Sequence, residues 1–354
     1  MKPRIAFVSI HSPHDISTWS GLNYFILKTL EQHFECVVLS GFGFKHTLSL
    51  KIQFRLAKWL GKRFFYELHP QVCKQLGATI SPLIPTDCEA IFTVNSNIVP
   101  FLKTQKPIFI YKDSTFANLV NFYGFTSNLP WWNRWQAHAM EQKAFHKAAS
   151  LFFASAWAAN SAISKYNVHP QKAVCIPFGA NMHNVPDTAT CKKMIAARQN
   201  TELRLLFVGK DFVRKGGPLA QQVLFEIRKH NLHCQLHFYS DVPEHYRIKD
   251  KDIFYHDMLD KSKASEEREL FEAYAQSHFL ILPTTAECFG VVFSEAAAFG
   301  VPSITFITGG PTSAVKEGEN GWCLPLTATA VDFAQHLMDA MPAYNYFAQK
   351  ARQR

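Results

Sequence analysis

The sequence is poor in charged residues and lacks the patterns that assign a chain to a membrane or to secretion. Charged side chains make up 18% of its 354 residues. No apolar run approaches the roughly 18 residues of a spanning helix, and residues 1–15 turn polar too early for a signal peptide. We therefore expect a cytoplasmic globular protein.

The cysteine spacing indicates neither a disulfide framework nor a zinc site. The chain has eight cysteines and no CxxC pair, and several of them, such as Cys36 and Cys175, lie in apolar runs. Reduced, buried thiols are the simplest interpretation.

Basic residues outnumber acidic ones by 37 to 28, which gives a formal net charge of +9. A basic surface suits a nucleic acid, an anionic membrane or phosphorylated small molecules, and composition does not choose among them. No nucleic-acid motif with interleaved aromatic residues occurs, so no nucleic-acid partner is expected.

Short apolar segments alternate with segments of helical spacing, which predicts parallel βαβ units. The segments predicted as strands are 4–10, 35–40, 90–94, 107–112, 150–155, 203–209, 233–239, 278–283 and 302–307. Fully apolar strands are typical of sheets covered on both faces. The predicted fold class is α/β, with two Rossmann-like doubly wound domains that face each other across a cleft.

The strands fall into two series, separated by residues 181–202, which carry no strand pattern. This division predicts an N-terminal domain over 1–180, a linker over 181–202 and a C-terminal domain over 203–354. Ligands in such sheets bind at the carboxyl ends of the strands, so functional residues are expected in the loops that follow strands.

The most informative segment is 278–311, HFLILPTTAECFGVVFSEAAAFGVPSITFITGGP, which indicates a strand, loop, helix, strand and glycine-rich loop. Glu287 falls in the loop and Glu295 about one turn into the helix, where carboxylates can accept hydrogen bonds from sugar or ribose hydroxyls. The backbone N–H groups that open the helix can meet a phosphate, and they belong to Phe289, Gly290, Val291 and Val292. Taken alone, the two glutamates are also explained as an ordinary loop residue and a surface helix residue.

This segment resembles the donor-site signature of the family 4 GT-B glycosyltransferases (glycosyl transferases group 1), in which seven residues separate two glutamates. The surrounding AECFGVVFSEA, GVPSI and TGG agree with it. The resemblance implies a retaining hexosyltransferase that moves a sugar from a nucleoside-diphosphate sugar to a glycan, lipid-linked or small-molecule acceptor, in the synthesis of cell-surface polysaccharide or glycoconjugate. It implies that Glu287 holds the donor sugar and Glu295 the nucleotide ribose.

Segment 205–217, LLFVGKDFVRKGG, places Gly209 at the end of an apolar strand and two lysines, Lys210 and Lys215, in the loop after it. A basic surface turn is the ordinary explanation, whereas the resemblance implies two cations that grip the donor diphosphate. In the family the first cation is usually an arginine. Lys210 keeps the charge there but lacks the bidentate fork, and the nearby Arg214 could share its role.

In the first domain, Gly21 follows the first strand and opens a helix, so the backbone there could pass close to a ligand. An ordinary turn explains it as well, but the resemblance implies a glycine loop that touches the donor phosphates and the acceptor. Many family members have a histidine after the strand at 107–112, where this chain has Lys112 and Asp113. Asp113 and His11 are candidate contacts to the acceptor or the sugar.

No metal ion or other cofactor is predicted. The run 250–252, Asp-Lys-Asp, matches the DxD pattern of metal-dependent glycosyltransferases, but no apolar strand precedes it and a solvated turn is expected. In retaining GT-B enzymes the leaving diphosphate is commonly thought to act as the base, so Lys210, Lys215 and a helix N-terminus would suffice. Two alternatives stay open: a catalytically silent nucleotide-sugar-binding partner subunit, and another activity on this fold such as a nucleotide-sugar epimerase.

Residues 45–64 carry an apolar stripe and a basic stripe at helical spacing. The apolar residues are Leu48, Ile52, Leu56, Trp59, Leu60 and Phe64. The basic residues are Lys51, Arg55, Lys58 and Lys62. Such a helix either lies at the surface of an anionic membrane, as a peripheral contact on its inner face, or packs its apolar face on the domain core.

The end of the sequence predicts one further feature. GT-B chains usually end with a helix that crosses back onto the first domain, and this chain ends at FAQKARQR. That final helix is therefore expected to be incomplete.

Overall fold

The computed structural model describes residues 2–198 and 202–353. The chain divides into two compact units, Met1–Ile176 and Pro177–Arg354. Each unit contains a six-stranded parallel sheet flanked by helices within the described residues. The predicted α/β class with Rossmann-like domains is confirmed. No helix of the described residues is both long and apolar enough to cross a membrane.

The first unit is built on a sheet with the strand order β2-β1-β3-β4-β5-β6. Its strands are β1 (Arg4–Val8), β2 (Glu35–Leu39), β3 (Ala90–Thr93), β4 (Ile108–Lys112), β5 (Ser150–Phe153) and β6 (Ala173–Cys175). Its helices are α1 (Leu22–Glu31), α2 (Leu48–Trp59), α3 (Pro70–Ile80), α4 (Phe116–Leu119), α5 (Trp131–Lys147) and α6 (Ala156–Tyr166). The order reverses direction between β1 and β3.

The second unit has the strand order β12-β11-β10-β7-β8-β9. Its strands are β7 (Leu203–Val208), β8 (Cys234–Tyr239), β9 (Ile253–His256), β10 (Phe279–Leu282), β11 (Ser303–Phe306) and β12 (Gly321–Leu324). Its helices are α7 (Thr188–Ala197), α8 (Gly217–Arg228), α9 (Ala264–Gln276), α10 (Val291–Ala298), α11 (Ala330–Ala340) and α12 (Tyr344–Gln353). Here the order reverses between β7 and β10, so a crevice is expected outside their carboxyl ends.

The nine predicted strands are all present, and the three that the sequence missed lie at sheet edges. They are β6, β9 and β12. An edge strand has one neighbour instead of two, so it needs fewer apolar side chains, and β6 is largely exposed. For the same reason Cys175 on β6 is exposed, contrary to the expectation of a buried thiol, although all eight thiols are free.

The residues predicted as a linker, 181–202, fall within the second unit, which begins at Pro177. They include α7, whose first turn is capped by the Asp187 carboxylate accepting from Thr190 N at 2.7 Å. Residues 199–201 of this segment lie outside the described residues. The last helix, α12, packs on α7 and α10 of the same unit.

Arg198, at the end of α7, is the most extensively bonded buried cation of the second unit. Its guanidinium donates to the carbonyls of Tyr274 (3.3 Å) and Ala275 (3.0 Å) in the last turn of α9. It also donates to the carbonyls of Phe299 and Gly300, just after α10, at 2.7 Å each. The Tyr344 hydroxyl of α12 accepts from it at 2.6 Å. A cation at two helix C-termini satisfies carbonyls that have no partner within their own helices.

Replacing Arg198 should destabilise the second unit. In Arg198→Met the buried carbonyls lose their donors, and the free energy of unfolding should fall by about 3 kcal/mol or more. Chemical denaturation followed by circular dichroism measures this, with Arg268→Met at an exposed position of α9 as the control. Equal stability of the two variants would contradict the role assigned to Arg198.

Candidate functional site

Two loops meet outside the carboxyl ends of β7 and β10, where the strand order of the second sheet reverses. The first loop, 209–216, ends at Gly216, the N-cap residue of α8, which has a φ of +84°. A Cβ on Gly216 would lie 2.2 Å from the carbonyl oxygen of Pro283, in the second loop, 283–290. A glycine is therefore required for the two loops to approach this closely.

Arg214 joins these loops through its backbone and its side chain. Its Nη1 donates to the carbonyl of Ala286 at 2.6 Å, and its own carbonyl accepts from Thr285 N at 3.0 Å. Its Nε also donates to the Asp211 carboxylate at 2.8 Å. The guanidinium, which the sequence suggested could share the role of Lys210, is thus engaged in holding the loops together.

The predicted residues Lys215 and Glu287 form an ion pair across the junction of the two loops. Their side chains are only 12% and 13% exposed, so each charge has the other as its main compensation. The Lys215 side chain runs beside Gly209, where a Cβ would lie 3.6 Å from it, an ordinary van der Waals contact. Both residues were predicted from the sequence as site residues, but the contact between them was not.

Gly290 opens α10 beside Glu287 with a φ of +83°. A Cβ at this position would come within 2.5 Å of the Phe293 ring and 3.2 Å of Glu287 Cγ. Of the helix-opening residues, Val291 is buried and Val292 is partly exposed. The buried ring of Phe289 packs on Phe178, with 5.3 Å between ring centroids, so its side chain serves packing.

Glu295 lies one turn into α10 and is 1% exposed. Lys261 Nζ donates to its Oε1 at 2.6 Å, and the Tyr274 hydroxyl donates to its Oε2 at 3.1 Å. Burial, and secondarily the Glu295 carboxylate, raises the pKa of Tyr274 well above its usual value, so this hydroxyl stays a donor. The sequence gave no signal for either partner, because Lys261 lies in a polar run and Tyr274 on an apolar helix face.

Lys210 is exposed at the end of β7. The pKa of the Asp260 carboxyl is lowered, first by hydrogen bonds from Ser262 and more weakly by Lys263 and Lys210. Lys210 is therefore near the 257–263 loop, the same loop that carries Lys261 onto Glu295. Lys210 and the buried carboxylate of Glu295 thus both have neighbours in the 257–263 loop.

The run 250–252 is held by an arginine and is not the solvated turn that the sequence suggested. Arg228 donates to both oxygens of Asp250 at 2.8 Å each and also pairs with the buried Asp252. The hydrogen bond from Arg228 lowers the pKa of Asp250 to about 2. Both carboxylates therefore stabilise the end of α8 rather than present a free pair of ligands.

The candidate residues of the first unit lie in loops after β1 and β4. Gly21, with a φ of +78°, begins α1 and is buried, whereas His11 is exposed. Trp19 Nε1 donates to Asp113 Oδ2 at 3.3 Å, so the glycine loop and the β4 loop are in contact. Lys112, where the family often has a loop histidine, ends β4 and pairs with the fully buried Glu141 at 2.8 Å.

The ion pair at Glu295 should be detectable by double-mutant analysis of stability. Lys261→Met leaves a buried carboxylate without its cation and should lower the free energy of unfolding by about 2 kcal/mol. Adding Glu295→Gln should recover much of that loss, because the uncompensated charge is removed. Lys263→Met, an exposed neighbour on the same loop, serves as the control. Additive effects of the two substitutions would show that the pair does not interact.

Comparison with curated proteins finds two relatives at low identity. The UDP-N-acetylglucosamine–peptide N-acetylglucosaminyltransferase GtfA subunit of Streptococcus pneumoniae serotype 4 is 23% identical over 202 residues, which cover 52% of this chain and 37% of that protein. The D-inositol 3-phosphate glycosyltransferase of Acidothermus cellulolyticus is 26% identical over 193 residues, which cover 49% of this chain and 42% of that protein. The chain thus matches less than half the length of these relatives.

The fold has solved counterparts over its whole length. The apo form of the lipopolysaccharide outer core galactosyltransferase WaaB superposes with a TM-score of 0.59 at 13% identity, covering 99% of this chain and 98% of that one. The family model described as Glycosyl transferases group 1 matches residues 195–341, which include Lys215, Glu287 and Glu295. The chain therefore has a two-domain Rossmann-like fold, and these findings support its place in the GT-B glycosyltransferase superfamily.

Proposed function

We propose that this chain is a retaining glycosyltransferase of family 4 that uses a nucleoside-diphosphate sugar. The second unit would bind the donor, and the first unit would bind a glycan, lipid-linked or small-molecule acceptor. The transferred group would be a hexose-type sugar. The observation that carries the proposal is the Lys215–Glu287 ion pair at the reversal point of the second sheet, next to the N-terminus of α10.

The donor diphosphate would lie between Lys215 and the first turn of α10. A helix N-terminus presents unpaired backbone N–H groups and a partial positive charge. Gly290 keeps this end of the helix free of a side chain. Lys215 adds a full positive charge nearby, since its partner Glu287 lies beside Gly290. Lys210 would be the second, more exposed cation.

Glu287 would accept hydrogen bonds from the donor sugar, while Glu295 would accept from the ribose. Glu295 is closed off by Lys261 and Tyr274, so the ribose would have to share or displace one of these donors. Lys261 is the better candidate for displacement, because its side chain is 16% exposed whereas Tyr274 is fully buried. In the proposed complex Lys261 would therefore give up Glu295 Oε1 to the ribose, while Tyr274 would keep its hydrogen bond to Oε2.

The reaction would proceed with the acceptor hydroxyl attacking from the face that the diphosphate leaves. The bond between the anomeric carbon and the diphosphate oxygen breaks, the new glycosidic bond forms on the same face, and a diphosphate oxygen takes the acceptor proton. Lys215 and α10 would stabilise the charge that develops on the leaving phosphate. No protein nucleophile is needed in this scheme.

The names of the similar proteins indicate several acceptor classes. The relatives act, by their names, on a peptide and on an inositol phosphate, and the similar structure on the outer core of lipopolysaccharide. Their variety favours no single acceptor, and synthesis of a surface polysaccharide or glycoconjugate fits the last of them. A peripheral membrane contact through residues 45–64 belongs to this proposal, since it would bring the chain to a lipid-linked acceptor.

Lys215 and Glu287 should fail in different ways when they are replaced. Lys215→Met should lower turnover by about 10²-fold or more, because it removes stabilisation of the leaving phosphate, and it should also weaken binding of the nucleoside diphosphate. Glu287→Gln should lower transfer but leave diphosphate binding unchanged or tighter, since Lys215 is then released from its partner. Calorimetric titration with the diphosphate, beside turnover with the donor, measures both.

A matched control is Lys229→Met, which removes a lysine from an exposed pair with Glu226 outside the site. Loss of diphosphate binding in Glu287→Gln, or unchanged behaviour of Lys215→Met, would refute the donor site. A wild-type chain that binds donor but neither transfers nor hydrolyses it would favour the silent partner subunit. Conversion of the donor to an epimer would favour the epimerase.

Donor binding and transfer should need no divalent metal. Lys215, Lys210 and the α10 N-terminus already supply positive charge to the diphosphate, and the 250–252 carboxylates are held by Arg228. Activity measured after dialysis against a chelator should equal that of the untreated protein. Loss of activity that manganese or magnesium restores would contradict this expectation.

A further inference from the structure

The outward face of α2 in the first unit carries large apolar side chains that no part of the described chain covers. Leu48 is 75% exposed and Trp59 is 81% exposed, and Ile52 and Leu56 lie exposed between them on the same face. Only Leu50 and Ala57 of this helix are buried. The helix therefore packs on the core through a narrow strip and turns most of its apolar surface to solvent.

The start of α5 extends this apolar surface. Trp131 and Trp135 are one helical turn apart and are 74% and 67% exposed. The two helices are neighbours, because Gln136 Nε2 of α5 donates to Gln53 Oε1 of α2 at 3.3 Å. The segments beside them are also joined, since Asn128 Nδ2 donates to the carbonyl of Gly61 at 3.0 Å.

We define the α2–α5 surface by its six exposed apolar residues. They are Leu48, Ile52, Leu56, Trp59, Trp131 and Trp135. Exposed apolar patches of this kind mark interaction sites in soluble proteins. Tryptophan in particular is enriched where a protein meets the headgroup region of a membrane, because its ring is apolar and its N–H is polar.

The charges around this surface have one sign. Lys51, Arg55, Lys58 and Lys62 are exposed, and none of them has an acidic partner in the described part of the chain. The sequence contains no Asp or Glu in residues 36–66 or 114–140, the two stretches from which the surface is built. The surface is therefore complementary to a dense, anionic partner.

We propose that the α2–α5 surface docks on an anionic lipid bilayer, with its tryptophans in the headgroup region and its basic residues against the lipid phosphates. It extends the membrane contact of the proposed function from residues 45–64 to Trp131 and Trp135, and it is independent of the donor chemistry. Phe64, which the sequence placed in the apolar stripe, lies outside α2 and packs towards the core.

A second copy of the chain fits this surface less well than a bilayer does. A symmetric dimer through the same patch would bring the four basic residues of each copy towards those of the other. No acidic residue of either stretch could offset that repulsion. A bilayer supplies both an apolar layer and negative charge.

The test is co-sedimentation of the full chain with vesicles of phosphatidylcholine alone and of phosphatidylcholine with phosphatidylglycerol. We expect binding only to the anionic vesicles, weakened by salt. Reversal of Lys51, Arg55, Lys58 and Lys62 to glutamate should weaken it by about 10²-fold or more. The control reverses Lys192, Lys193, Lys249 and Lys251, exposed residues of the second unit, and changes the net charge equally, from +9 to +1.

The position of the tryptophans relative to the bilayer is measured separately, by fluorescence quenching. Replacing Trp59, Trp131 and Trp135 by phenylalanine should abolish most of the fluorescence quenching by lipids brominated in their acyl chains. Circular dichroism and diphosphate titration verify that every variant is folded and that a failure here is separate from a failure of the donor site. Equal binding of the two charge-reversed variants, or a wild-type chain that dimerises through this surface and ignores anionic vesicles, would overturn the proposal.

Discussion

The arrangement of the second unit depends on the buried guanidinium of Arg198. Its N–H groups donate to carbonyls at the C-terminal ends of α9 and α10 and to the Tyr344 hydroxyl on α12. One rigid, planar group thus fixes the positions of three helices relative to each other. Arginine suits this position because its five N–H donors diverge in a fixed plane. A lysine would offer a single charged centre and could not satisfy both helix ends.

This interaction reaches the candidate donor site through Tyr274. The carbonyl of Tyr274 accepts from Arg198, and its hydroxyl donates to Glu295 on α10. One residue of α9 therefore connects the structural centre of the unit to a carboxylate of the site. The position of α10 is constrained at two points, by Arg198 after its last turn and by Tyr274 and Lys261 at Glu295 in its middle.

Much of the second unit could be predicted because its signals are local in sequence. Strand, loop and helix follow one another within 278–311, and Gly290 and Glu287 lie where that order requires them. The pairs that complete the site could not be predicted, because Lys261 and Glu295 lie 34 residues apart and Lys215 and Glu287 lie 72 apart, with no periodicity to join them. In α2 the sequence revealed an apolar and a basic stripe but not that both are exposed, whereas the helix packs on the core through Leu50 and Ala57.

The ion pair between Lys215 and Glu287 gives the lysine an internal counterion. Under the proposed assignment, donor binding exchanges one partner of the lysine for another, so the site does not act as a bare positive charge towards passing phosphates. A nucleoside diphosphate would take the lysine but leave a largely buried carboxylate without a partner, whereas a complete donor brings hydroxyls to it. The same ion pair would therefore weaken binding of the nucleoside diphosphate relative to binding of the nucleoside-diphosphate sugar. It would thus favour release of the diphosphate product after transfer.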